Sequence, residues 1–149
     1  MVVIEEDMVI NAPAGKVMAL VNDPKRVHEW EPSLLSIDVT PGRGGRVGEV
    51  WNFTYSMMGM RSKQRATILE WEDNKRVVWK HEGSFQGTET QLFDPAGDRS
   101  TGYKHRMELR PGGLMGLLAP LMMPMMKGRA RRVADKFKRI CEAEARTTG

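Results

Sequence analysis

The chain has 149 residues, of which 40% are hydrophobic and 28% charged, with a formal net charge of +4, a pI near 9.4 and a mean hydropathy of −0.46. That describes a single globular domain spanning 1–149, large enough to bury a core, and excludes an integral membrane protein. One cysteine, Cys141, excludes an internal disulfide and fits a reducing, cytoplasmic compartment, and the acidic opening "MVVIEED" does not read as a signal peptide.

In chain order, "VVIEEDMVI" (Val2–Ile10) is rich in β-branched residues and predicts a strand that stops at "NAPAG". There Asn11 can cap a helix and Pro13 suits its first turn. "AGKVMALVND" predicts a short helix ending before Pro24, and "PKRVHEWEP" a second short helix or turn between Pro24 and Pro32. "LLSIDV" is a strand closed by "TPGRGG", whose glycines serve a turn and lack the following helix of a phosphate-binding loop. "VGEVWNFTYSMM" alternates, with Trp51, Phe53, Tyr55 and Met57 on one face and Asn52, Thr54 and Ser56 on the other. "RSKQRATILEWE", "RVVWKHEG", "GTETQLF" and "TGYKHRMEL" follow, separated by short turns, so six consecutive strands form an antiparallel meander. After "RPGG" the chain is helical to its end.

The helix has two characters. Its second half is amphipathic, with Val133, Phe137 and Ile140 on one stripe and Lys136, Lys138 and Arg139 opposite. Its first half, "LMGLLAPLMMPMMKGRARR", is apolar on both sides and carries Pro120 and Pro124, which predict a kink or a loosened turn. Leu114 to Met126 is too short for a membrane span, which needs roughly 20 residues. Core packing, gating of a cavity, a dimer contact and contact with a lipid surface remain open for it.

The order of elements, with particular residues, resembles the START-like/SRPBCC superfamily, which contains polyketide cyclases/dehydrases and lipid-transfer proteins. "INAPAGKVMALVNDPKRVHEWEPSLLSI" is similar to that group's entry segment, "RVGEVWNF" to the opening of its third strand, and "ILEWEDNKRVVWKHEG" to its Trp-bearing hairpin. "DPAGDRSTGYKHRMEL" resembles its last hairpin. The resemblance spans nearly the whole chain and implies an α+β helix-grip fold. In it, a curved antiparallel sheet of about seven strands wraps a long C-terminal helix around an apolar cavity, with two short helices after the first strand.

On that fold, alternation gives the expected ligand-binding residues. Trp51, Phe53, Tyr55 and Met57 point inward, with Ala66 and Ile68 beside them, then Trp79 and His81, and Tyr103, His105 and Met107 on the last strand. Met115, Leu118, Met122 and Met126 are expected from the helix. Twelve Met against four Phe, with polar atoms among the apolar ones, favour a cavity over a solid core. If Ile10 sits opposite Thr101, Glu6 faces His105, and Glu6, Tyr103 and His105 become candidate catalytic residues for acid/base work. The competing readings are a strand-end ion pair or a register displaced by one residue.

Three scattered histidines without ligand spacing argue against a metal, and no cofactor fingerprint is present. The basic run Lys127, Arg129, Arg131 and Arg132 lacks interleaved aromatics, so nucleic acid is not an expected partner, while peripheral contact with an anionic membrane is. Monomer and homodimer both fit. The leading expectation is a carrier or sensor of a small hydrophobic ligand: a lipid, fatty acid or polyketide-like molecule. A cyclase/dehydrase-type enzyme comes second, and a ligand-free module that dimerises through the Met-rich helix third.

Overall fold

In the computed structural model, strand β1 (Val2–Ile10) gives way at Ala12 and Pro13 to helix α1 (Ala14–Val21). The structure describes residues 1–42, 46–57 and 59–148, without the side chains of Met57, Leu114, Met115 and Thr148. Pro13, with its extended backbone, is the residue before the first helical turn, and no side chain caps the helix there. Asn11, the expected cap, instead donates its backbone N–H to Glu142, far along the chain. The "PKRVHEWEP" segment folds as one 3-10 turn at Val27–Glu29, its two prolines preventing a longer helix.

Six strands then follow as read: β2 (Leu34–Thr40), β3 (Val50–Met57), β4 (Met60–Glu72), β5 (Arg76–Gly83), β6 (Phe85–Pro95) and β7 (Thr101–Pro111). Beyond Gly42, the "GRGG" turn lies outside the described residues, as does Met58 between β3 and β4. The sheet order is β1-β7-β6-β5-β4-β3-β2 with every neighbouring pair antiparallel, so the meander folds back until its last strand meets the first. The sheet is curved and remains open, with β1 and β2 as its edges. The β1–β7 register is Ile10 opposite Thr101, Met8 opposite Tyr103 and Glu6 opposite His105. This is the register that alternation predicted.

Helix α2 (Leu114–Thr148) runs as one helix through Pro120 and Pro124. Each proline lacks an N–H, which leaves the Gly116 and Pro120 carbonyls without their helical donors. The second half of α2 closes the concave face of the sheet. Phe137 packs edge-on against Trp30 at 4.9 Å and against the Tyr103 ring at 5.8 Å, and Cys141 is buried beside them in the same core. Burying an aromatic side chain of this size removes about 150–250 Å² from water. Phe137 therefore fastens helix to sheet. Polar ties reinforce it: Arg26 pairs with Glu29 and with Glu144 of α2, and Arg129 of α2 binds Glu31 and the Ser33 hydroxyl ahead of β2.

The first half of α2 is less covered. Leu118 is half-buried and Met122 buried, whereas Leu117, Leu121 and Met125 are 78%, 81% and 51% exposed. The two-sided apolar pattern thus divides into a covered and an open side. Among the described residues, no helix is long and apolar enough to cross a membrane.

Candidate functional site

Between the concave face of the sheet and α2 lies a cavity of about 310 Å³. Of the chain's four Trp, two Tyr and four Phe, three Trp, both Tyr and three Phe line it. Period-two alternation puts the six strand-borne ones there, because each strand sends every second side chain to the concave face, while Trp30 comes from the end of the 3-10 turn and Phe137 from α2. Among the residues expected from the sequence, Trp51, Phe53, Tyr55, Trp79, His81, Tyr103, His105, Met107 and Met126 are on the wall, and so is Glu6. Ile68, Leu118 and Met122 are not; Ile68 is packed into the core. The side chains of Met57 and Met115 lie outside the described residues. The helical wall is consequently displaced along α2 from the Met-rich turns to Met126, Arg129, Ala130, Val133, Ala134 and Phe137. The anchors at Arg129 and Phe137 set this position, because they place the second half of the helix over the sheet.

One polar cluster dominates the apolar wall. Glu89, on β6, accepts from His81 Nε2 through one oxygen and from His105 Nε2 through the other, each at 2.7 Å. Register explains the double contact. Gly87 stands opposite His81 and Gln91 opposite His105, so Glu89 is the diagonal neighbour of both histidines from the strand between theirs. Gln91 donates its amide to the same carboxylate at 3.2 Å. Gln64 donates to the backbone carbonyl of Phe85 at 2.7 Å, accepts from the Phe85 N–H, and lies 3.4 Å from His81 Nδ1. Because a carboxylate only accepts, both imidazoles present an Nε2–H to Glu89, which leaves Nδ1 as the basic atom of His105.

Burial alone would raise the pKa of Glu89, but the facing His105 charge and the hydrogen bonds from His105 and His81 outweigh it. They hold the carboxyl well below the usual carboxylate range. Glu89 is therefore ionised. Burial, followed by the charges of Glu31 and Glu89, pushes the Tyr55 phenol up, and burial with Glu89 does the same to Tyr103. Both phenols are neutral hydroxyls. The Tyr103 and His105 rings are stacked, with centroids 6.2 Å apart and planes 10° from parallel. An oriented imidazole, a fixed carboxylate and two neutral phenols form a set that can recognise a polar group and accept or return a proton.

The expected pairing of Glu6 with His105 is corrected in one respect. The two residues are opposite one another, but Glu6 lies 3.5 Å from Arg131 of α2, and His105 turns to Glu89 instead. The helix supplies Glu6 with a guanidinium, while β6 offers His105 a carboxylate that also reaches His81. Sequence reading missed Glu89, Gln91, Gln64, Glu31 and Arg129. For the first two a signal was available: Phe85, Glu89, Gln91 and Phe93 share one parity, and two phenylalanines mark that parity as the inward face.

Known structures of the same shape are numerous. A protein from Thermus thermophilus, TTHA0849, superposes with a TM-score of 0.74 at 20% identity, covering 96% of this chain and 99% of that one. A START superfamily protein from Mycobacterium smegmatis gives 0.73 at 14% identity, covering 99% of both chains. The Zhui aromatase/cyclase from Streptomyces sp. R1128 gives 0.70 at 13%, covering 97% and 93%. At these identities the likeness is one of fold. No curated protein sequence matches significantly. The family model for polyketide cyclase/dehydrase and lipid transport matches residues 1–142, and with the helix-grip architecture this places the chain in that family, within the START-like/SRPBCC superfamily.

Proposed function

We propose that the protein binds a small hydrophobic ligand, such as a lipid or polyketide-like molecule, in the cavity beneath α2, and acts as its carrier or sensor in the cytoplasm. The observation that carries this reading is the cavity itself: mostly apolar walls, rich in aromatic rings, around a set of fixed polar groups, the composition of a small-molecule site. A ligand-free interaction module would have no use for such a space. Native mass spectrometry of freshly purified protein tests the proposal. A retained small molecule, lost on denaturation, is the expected result. Apo protein that also takes up no hydrophobic probe would overturn it.

A second reading, an enzyme of the cyclase/dehydrase kind, is favoured by the His81–Glu89–His105 cluster. Replacing Tyr55, Tyr103 and His105 singly by Phe separates the two. A carrier loses affinity modestly, whereas an enzyme loses orders of magnitude in rate.

The open side of α2 supports delivery to an anionic membrane. Leu117, Leu121 and Met125 are exposed at successive turns, and exposed Lys127 and Arg132 follow directly. Flotation with anionic vesicles should recover the protein, with less recovery on zwitterionic vesicles and little for a Leu117→Glu, Leu121→Glu double variant. Equal recovery of the variant would remove membrane contact from the proposal.

A further inference from the structure

The fold leaves the identity of the ligand open, but the charges on the cavity wall restrict it. Glu6, Glu31 and Glu89 line the cavity, against a single guanidinium, Arg129, and no lysine among the described residues. Arg129 is already committed to Glu31 and the Ser33 hydroxyl. Arg131 serves Glu6 at 3.5 Å and Asp135 at 3.4 Å. The remaining basic groups on the wall are the two imidazoles, and both face Glu89. His81 Nδ1 lies toward the Gln64 amide, which can donate to that atom only while it is unprotonated. A proton on either ring would match the charge of Glu89 and leave no surplus cation for a ligand.

From this arrangement we infer, building on the ligand-binding reading above, that the cavity selects against anionic head groups. Its ligand is an aromatic-sized apolar molecule whose polar end is uncharged or cationic, and a fatty-acid carboxylate is rejected. The reason is desolvation. A carboxylate entering an apolar cavity gives up its water, and beside three carboxylates its charge needs an unpaired cation to balance it. The wall offers no unpaired cation: the partnerless Trp79 Nε1–H and the Tyr55 and Tyr103 hydroxyls are neutral donors set among three carboxylates, and Glu89 already occupies the Nε2 donors of both histidines. A hydroxyl, by contrast, can donate to His105 Nδ1 when that atom carries no proton and accept from it when it does. An ammonium group would meet an excess of carboxylates and the aromatic rings of Trp51, Trp79 and Phe53.

Matched naphthalene probes test this by isothermal titration calorimetry on the full chain. Naphthol, naphthylmethylammonium and naphthoate share one apolar body and differ in the charge at one end. Naphthol and the ammonium are expected to bind, and naphthoate at least about tenfold more weakly, a difference of about 1.4 kcal/mol. Naphthoate binding as tightly as naphthol overturns the inference while leaving the ligand-binding function intact. Failure of all three to bind removes both. A Glu31→Gln variant frees Arg129 to face the cavity and should bring naphthoate to within a few-fold of naphthol. Discrimination unchanged by that substitution would mean that charge pairing is not its cause. If the variant does not fold, the ranking on the native chain still decides.

Discussion

Replacing Glu89 by Gln keeps the shape of the side chain and removes its charge. In the native protein the carboxylate is largely buried, with 14% exposure, and accepts two imidazole N–H groups at 2.7 Å. The amide can accept from only one of them and turns an N–H toward the other, so both bonds lose the carboxylate charge, and the second imidazole must change tautomer or be left with two donors facing each other. A hydrogen bond to a charged group contributes about 1.5–3 kcal/mol, and a buried donor without a partner costs about 1–3 kcal/mol. Part of this is offset because a neutral amide is cheaper to bury than a carboxylate. A net destabilisation of about 3 kcal/mol at neutral pH follows, which for a domain of this size lowers Tm by about 6–12 °C. The effect carries a pH signature. The folded-state value of Glu89 lies below the ordinary carboxylate value of about 4.3. Its stabilisation is therefore complete above that value and is lost as pH falls toward the folded one. Thermal unfolding of both proteins from pH 7 down to about pH 3 should show the gap between them narrowing below about pH 4. A gap under about 2 °C at pH 7, or one that stays constant down to pH 3, would refute the account of Glu89 as the ionised centre of the cluster.

Three further outcomes follow from the same geometry. Gly87→Ala would place a methyl carbon 1.8 Å from the Glu108 carbonyl oxygen, so β6 and β7 must separate; chemical denaturation should show a loss of about 3 kcal/mol or more, and the His81 and His105 NMR signals should shift as Glu89 moves. Phe137→Ala removes the ring that packs on Trp30 and Tyr103 and should cost about 3–5 kcal/mol, measured by urea unfolding; a loss below about 1 kcal/mol would mean that α2 is held by its polar ties instead. Cys141 is 3% exposed, and burial with the nearby charges of Glu144 and Glu142 pushes its thiol up to about 12. It should therefore resist alkylation in the native protein at pH 8 and react fully in denaturant, as followed by intact-mass measurement.

Much of the architecture was legible in the sequence because it depends on local periodicity. Alternation placed the strands and their inward faces, and the first and last strands have the predicted register down to Glu6 opposite His105. The split of the Met-rich turns into a covered side with Met122 and an open side with Leu117 and Leu121 was equally a matter of helical period. The helical wall of the cavity was read too far toward the N-terminal end of α2. Period tells which face of a helix looks inward but not how far the helix slides along the sheet, and that is set by Arg129 meeting Glu31 and Phe137 meeting Trp30.

The central polar cluster divides in the same way. That His81, His105 and Glu6 point into the fold follows from the order of residues alone, because each strand's alternation fixes its own faces. Which carboxylate His105 would meet is a property of the assembled sheet. Three strands had to come into register before Glu89 stood diagonally between two histidines 24 residues apart in the chain. The curvature of the sheet and the seat of α2 then turned that pair of contacts into the polar floor of a cavity, because burial arises only once helix and sheet have closed over the same space.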